Sequence, residues 1–178
     1  MRWLRNDRRR VRPPRVALAL VLLMLIVLAA RYRGEPAPNV AAPAGEAVRI
    51  ERVVDGDTLL LADRTRVRLI GVNTPETVKP DTPPQPWGAE ASEFTKKFLQ
   101  GREPRLEYDD ERLDQHGRTL AYVWVDDRML NEELLRAGLA RAEMHFHYSS
   151  TKKDRFRKAQ QEAKQARLGL WSGQAPAR

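Results

Sequence analysis

The chain has 178 residues, 31% of them charged, with 12 prolines and no cysteine. That length holds one domain plus a tail, and the missing thiols exclude a disulfide framework and any cysteine-based metal knuckle. The formal charge of +8 is concentrated: residues 1–46 carry nine Arg against three acids, leaving 23 bases and 21 acids for the rest, so basicity alone says little about a substrate.

Val16 to Ala30 is an unbroken run of fifteen apolar side chains behind seven Arg and one Asp. A cationic segment followed by an apolar run is the layout of an export signal. As a helix the run spans about 22 Å, short of a bilayer core of roughly 30 Å unless Arg15, Tyr32 and Arg33 reach outward. Val27-Leu28-Ala29 offers a cleavage site, whereas Arg31 and Arg33 just beyond it favour an uncleaved signal anchor. The Arg excess keeps the N-terminus in the cytoplasm and sends the remainder across the membrane. The expected division is a basic segment with an anchor or signal peptide (1–33), a Pro/Ala-rich linker (34–46), a globular domain (47–173) and a short tail (174–178).

From Ala47 the pattern becomes strand-like. Val48, Ile50 and Val53 alternate with charged residues, Thr58 to Ala62 forms a second strand, and Arg66 to Val72 alternates again after a turn at Asp63-Arg64. A proline-dense loop, Glu76 to Pro86, follows. Ala91, Phe94, Thr95 and Phe98 fall at helical spacing and predict a helix over 87–99. Two strands are expected near Arg105–Tyr108 and Thr119–Val125. Asn131 is placed to cap a short helix that Gly138 closes. A last helix starts near Thr151, with Asp154 at capping-box spacing and a stripe through Phe156, Ala159, Ala163, Ala166 and Leu170. Five strands, an inserted helix and two closing helices are compatible with an α+β fold built on a five-stranded OB-type β-barrel.

Four segments concentrate polar residues with chemical potential. Asp55-Gly56-Asp57 sets two carboxylates on a tight turn, which suits a hard divalent cation, although Asp-Gly is also an ordinary hairpin signal. Arg68 faces away from Val67 and Leu69, and Asn73-Thr74-Pro75-Glu76 leaves that strand in a turn. Arg118 follows a polar turn, and its guanidinium matches phosphate oxygens. His145 and His147 would share a face if extended, but they lack a third metal ligand; with Phe146 and Tyr148 nearby, an aromatic wall for a base is the stronger reading. Together Glu76, Arg68, Arg118 and Asp57 cover what phosphodiester hydrolysis requires: a group acting on water, positive charge for the transition state, and a metal.

These pieces resemble the staphylococcal-nuclease (thermonuclease-like) family, from about Val48 to Trp171. The likeness rests on VVDGDTLLL, VRLIGVNTPET, GAEASEFTKKFL, DQHGRTLAYVWVDDRMLNEELLRAGLAR and AQQEAKQARLGLW, in that order. It implies an OB-type barrel and a calcium-assisted, monomeric nuclease domain acting on DNA and RNA to leave 3′-phosphates. It further implies catalytic Arg68, Glu76 and Arg118, with Asp57 and the Thr74 carbonyl at metal-ligand positions. Two departures stand out. Asn73 replaces a second metal-ligating Asp, which lowers the charge available to calcium and leaves open an inactive nucleic-acid-binding or scaffold module tethered to a membrane. His116 replaces a tyrosine, and Glu143-Met144-His145-Phe146 stands where nucleotide-contacting tyrosines are expected, so the base-binding residues would be His116, Phe146 and Tyr148.

Overall fold

Alternation at Arg66–Leu69 buries Val67 and Leu69 and turns Arg68 to the opposite face, half-buried. Elements of this kind fill the residues that the computed structural model describes, namely 45–77, 83, 85–174 and 176, all within the unit Val40–Arg178. The apolar N-terminal run and its anchor or signal role lie outside them. Among the described residues no helix is long and apolar enough to cross a membrane.

The strands are β1 (Glu46–Ala47), β2 (Ile50–Asp55), β3 (Thr58–Leu61), β4 (Arg66–Leu69), β5 (Val72–Asn73), β6 (Arg105–Glu107), β7 (Thr119–Val125), β8 (Arg128–Met129) and β9 (Arg141–Ala142). The helices are α1 (Gly88–Leu99), α2 (Leu130–Arg136) and α3 (Ser150–Gln165), followed by a 3₁₀ turn at Gly169–Trp171. The main sheet runs β1-β6-β7-β4-β3-β2, with β8 beside β7, while β5 and β9 form a separate ladder. Only β4 and β7 pair in parallel within this sheet.

Among the described residues the strands expected of a five-stranded OB-type barrel form a mixed sheet whose path has two ends, β1 and β2, and not a closed barrel. The cause is local. Instead of one strand through Val48–Val53, the chain breaks at Val48 and Arg49. Val48 N–H donates to the Pro104 carbonyl, and the Arg49 carbonyl accepts from Ala62 N–H. The first piece therefore pairs with β6 and the second with β3.

All four residues of β3 are buried, as are Ala121–Val125 of β7, so these central strands have both faces covered and lose visible alternation. Phe156, Ala159 and Ala163 form the buried stripe of α3, whereas Ala166 is exposed. Phe156 meets Tyr122 edge-on at 6.2 Å and Tyr148 at 6.0 Å between ring centroids. Both Phe156 and Tyr148 press on Gly71, which has φ +72°; a Cβ there would come within 2.7 Å of the Tyr148 ring.

Two helix starts differ from expectation. Ser149, not Thr151, caps α3, its Oγ accepting from Lys152 N–H at 3.4 Å, and Asp154 pairs with Arg157 instead. Asn131 caps nothing. It sits fully buried in the first turn of α2, its Oδ1 accepting from Val123 N–H at 3.0 Å and its Nδ2 donating to the Ile70 carbonyl at 2.9 Å.

Candidate active site

Strand register brings two arginines together. Arg68 is paired with Leu120 across the parallel β4–β7 ladder. Arg118 lies two residues before Leu120, so strand alternation puts it on the same face as Arg68. The two guanidinium groups feel one another. Burial lowers the pKa of Arg68 first and the charge of Arg118 lowers it further, against the opposing pull of Asp55, Glu143 and Asp114. Asp114 holds Arg118 through Nε at 2.7 Å and through its backbone N–H at 2.9 Å, which leaves the Nη end of that guanidinium for a ligand.

The turn between β2 and β3 supplies the carboxylates. Asp57 is buried, in ion-pair contact with Arg68 Nη1, and its Oδ2 accepts from Thr74 N–H at 2.7 Å. The Arg68 contact is not an aligned hydrogen bond, since Nη1 has no hydrogen-bond partner. Asp55 Oδ1 accepts from Asp57 N–H at 3.1 Å. Burial raises the Asp55 carboxyl pKa more than hydrogen bonds from Thr58 and the charges of Arg68 and Arg118 lower it. Thr95 of α1 ties this turn down, its hydroxyl donating to the Gly56 carbonyl at 2.7 Å. Asn73 is exposed, and its Oδ1 accepts from Arg68 Nη2 at 2.9 Å.

Glu76 is half-buried at the mouth of the proline-dense loop. Gln85 clasps its backbone on both sides: the Glu76 N–H donates to Gln85 Oε1 at 3.2 Å, and the Glu76 carbonyl accepts from Gln85 N–H at 2.9 Å. No sequence signal marks Gln85 for this task, because it sits in a stretch readable only as loop.

A cleft of about 450 Å³ is lined by both arginines together with Asn73, His116, Glu143 and Phe146, among others. Phe146 is 56% exposed, with the His145 ring 4.1 Å away. Tyr148, by contrast, is buried against Phe156, and its hydroxyl lies 3.8 Å from Met144 Sδ. The cleft thus gathers His116 and Phe146 around the arginines, while Tyr148 backs the wall from within the core. Asp109, which sequence reasoning missed, anchors this wall. Its Oδ2 accepts from Tyr122 Oη at 2.5 Å and from Ser149 N–H at 2.9 Å.

The sequence profile described as staphylococcal nuclease homologue matches residues 66–173. The chain belongs to the staphylococcal nuclease family. It is 42% identical over 163 residues to a thermonuclease of Staphylococcus hyicus, covering 87% of this chain and 95% of that protein. It is 44% identical over 161 residues to a thermonuclease of Staphylococcus intermedius, covering 86% and 93%. Endonuclease YncB of Bacillus subtilis is 40% identical over 129 residues, 70% of this chain and 61% of that protein.

Among the described residues of this family member, no group of three or more His, Cys, Asp or Glu is placed to hold a metal ion. The oxygens of Asp57, Asn73 and Thr74 nonetheless form a chemically coherent set. A carboxylate, an amide and a backbone carbonyl are hard donors, the ligand class of calcium rather than of zinc. The hydrogen bond from Thr74 N–H to Asp57 Oδ2 keeps two of these three residues adjacent.

Proposed function

We propose that the chain is a calcium-assisted nuclease that hydrolyses phosphodiester bonds of DNA, RNA or both. The observation that carries this reading is the forced proximity of Arg68 and Arg118. Two like charges on one sheet face repel, and an anion bound between them removes the repulsion. A phosphodiester is such an anion, and its oxygens gain charge as the bond breaks. In this reading Arg68 and Arg118 hold the phosphate, and Glu76 orients and deprotonates the attacking water. Asp57, Asn73 and the Thr74 carbonyl would hold the calcium ion, which adds positive charge beside the phosphate. His116 and Phe146 flank the nucleotide, with Tyr148 supporting them. The relatives named thermonuclease and endonuclease support the same activity.

An OB-type barrel is compatible with this reading, since β1 and β2, the two ends of the sheet path, are separated only by Val48 and Arg49. The N-terminal apolar run holds the domain outside the cytoplasm, as an anchor or a cleaved signal; N-terminal sequencing of the exported protein distinguishes these.

One observation favours a second reading, a binding or scaffold module without turnover. Arg68 already faces internal partners, with Asp57 in ion-pair contact at Nη1 and Asn73 accepting from Nη2, so a phosphate must compete with them. Digestion of single-stranded DNA by the full chain decides between them. Cleavage that needs calcium and stops with chelator is expected of the nuclease. Binding without cleavage at millimolar calcium would establish the module, and metal-independent cleavage would remove calcium from the reading.

A further inference from the structure

Besides the two arginines, the cleft is lined by acids, the wrong charge for a second phosphate. Glu143 lines the cleft, its backbone N–H fixed to the Gly71 carbonyl at 2.9 Å. Its side chain is 24% exposed and close enough to Arg68 for the two charges to interact. Glu111 lines the same cleft. Asp114 is engaged by Arg118 and Asp109 by Tyr122 and Ser149, while Glu143 Oε2 lies 3.3 Å from His145 Nδ1. Glu143, through Oε1 and the remaining lone pair of Oε2, and Glu111 keep accepting capacity in the cleft, together with the exposed Phe146 ring.

We propose that Glu143 is a base-reading residue that makes guanine the preferred base and thymine or uracil the least preferred. This rests on the nuclease reading of the same cleft. The argument is donor geometry. A carboxylate accepts only, through two oxygens side by side. Guanine presents two adjacent donors on its Watson–Crick edge, N1–H and N2–H₂, and so can satisfy both oxygens. Cytosine and adenine each offer one amino group. Thymine and uracil offer a single N3–H flanked by two carbonyls that meet the carboxylate acceptor to acceptor. Phe146, backed by the His145 ring at 4.1 Å, gives the base a stacking face that is indifferent to its identity. The preference is thus assigned to Glu143 and not to the aromatic wall.

The test uses the full chain with calcium. Cut sites in an end-labelled single-stranded DNA of mixed sequence are mapped, and binding of dGMP and TMP is measured by calorimetry with and without calcium. A preference for G over T of about tenfold is expected, within the range of a bidentate side-chain contact to a base. Glu143→Ala should flatten that preference. Glu143→Gln, which offers one donor and one acceptor, should raise T relative to G. Equal use of G and T by the native chain, or a G preference that survives Glu143→Ala, overturns the proposal. Failure to cut any DNA refutes the nuclease reading alone, because tighter dGMP binding that disappears in Glu143→Ala would still establish Glu143 as the reader. Binding of neither nucleotide refutes the reader as well.

Discussion

Asn131 reaches back 61 residues to donate to the carbonyl of Ile70 at 2.9 Å, while the same amide accepts from Val123 N–H. One side chain therefore joins the corner after β4, which carries Arg68, to β7, which follows Arg118. Asn131→Leu leaves a buried N–H and a buried C=O without partners. Each such group costs about 1–3 kcal/mol, so a loss of about 3 kcal/mol is expected from urea unfolding, with little change in the slope. A loss below about 1 kcal/mol would mean that the two backbone groups find other partners.

The contrast between Asn131 and Arg68 shows where sequence reading succeeds. The facing of Arg68 is legible because it follows from period-two alternation between two buried neighbours, a local property. The strands at Thr58–Leu61, Arg105–Glu107 and Thr119–Val125, and helix α1, are legible for similar local reasons. Asn131 looks like a helix cap because Asn before Glu132 and Glu133 is a local capping signal; its partners are distant in sequence and nothing local announces them. Gln85 and Asp109 escape notice in the same way. Tyr148 lies beside exposed His147 and Phe146, and only the packing of α3 shows that its ring turns inward onto Phe156 and Gly71. The break at Val48-Arg49 is equally unreadable, since it depends on which strand each half finds.

Glu76→Gln removes the proposed base while keeping size and backbone. General-base contributions of about 10²–10⁴ set the expected fall in turnover, measured on single-stranded DNA with saturating calcium. Binding of a nucleotide inhibitor should be largely retained, because Arg68 and Arg118 are untouched. A fall of less than about tenfold would remove Glu76 from this role.

Asn73→Asp adds a charged oxygen to the proposed calcium donor set, which holds one carboxylate. Calcium affinity rises with the number of charged ligands, so the midpoint of a calcium titration should move to lower concentration, by about tenfold. The new carboxylate also faces Arg68 Nη2 and will compete with the ion for it. Calorimetry separates the two effects, because strengthening the Arg68 pair alone would leave calcium affinity unchanged. An unmoved midpoint would show that residue 73 is not a calcium ligand.

Asp109 gives the cleft wall a pH dependence whose sign can be worked out. Burial alone would raise its carboxyl pKa. Hydrogen bonds from Tyr122, Ser149 N–H and Asp110 N–H, with the charge of Lys152, outweigh that and hold it below the ordinary 3.8. A depressed carboxylate stabilises the folded state fully above its unfolded pKa and loses that contribution as pH falls through the folded value. The loss therefore lies below about pH 4. Asp109→Asn should be less stable than the native chain at pH 7, and the two urea midpoints should converge toward pH 3; parallel curves would show that the acid sensitivity resides elsewhere. The same variant loosens the tie between Asp109 and Ser149, and with it the segment that carries Phe146 and His147 into the cleft. KM for single-stranded DNA should therefore rise several-fold at neutral pH with kcat little changed, since the arginines and Glu76 sit on other elements.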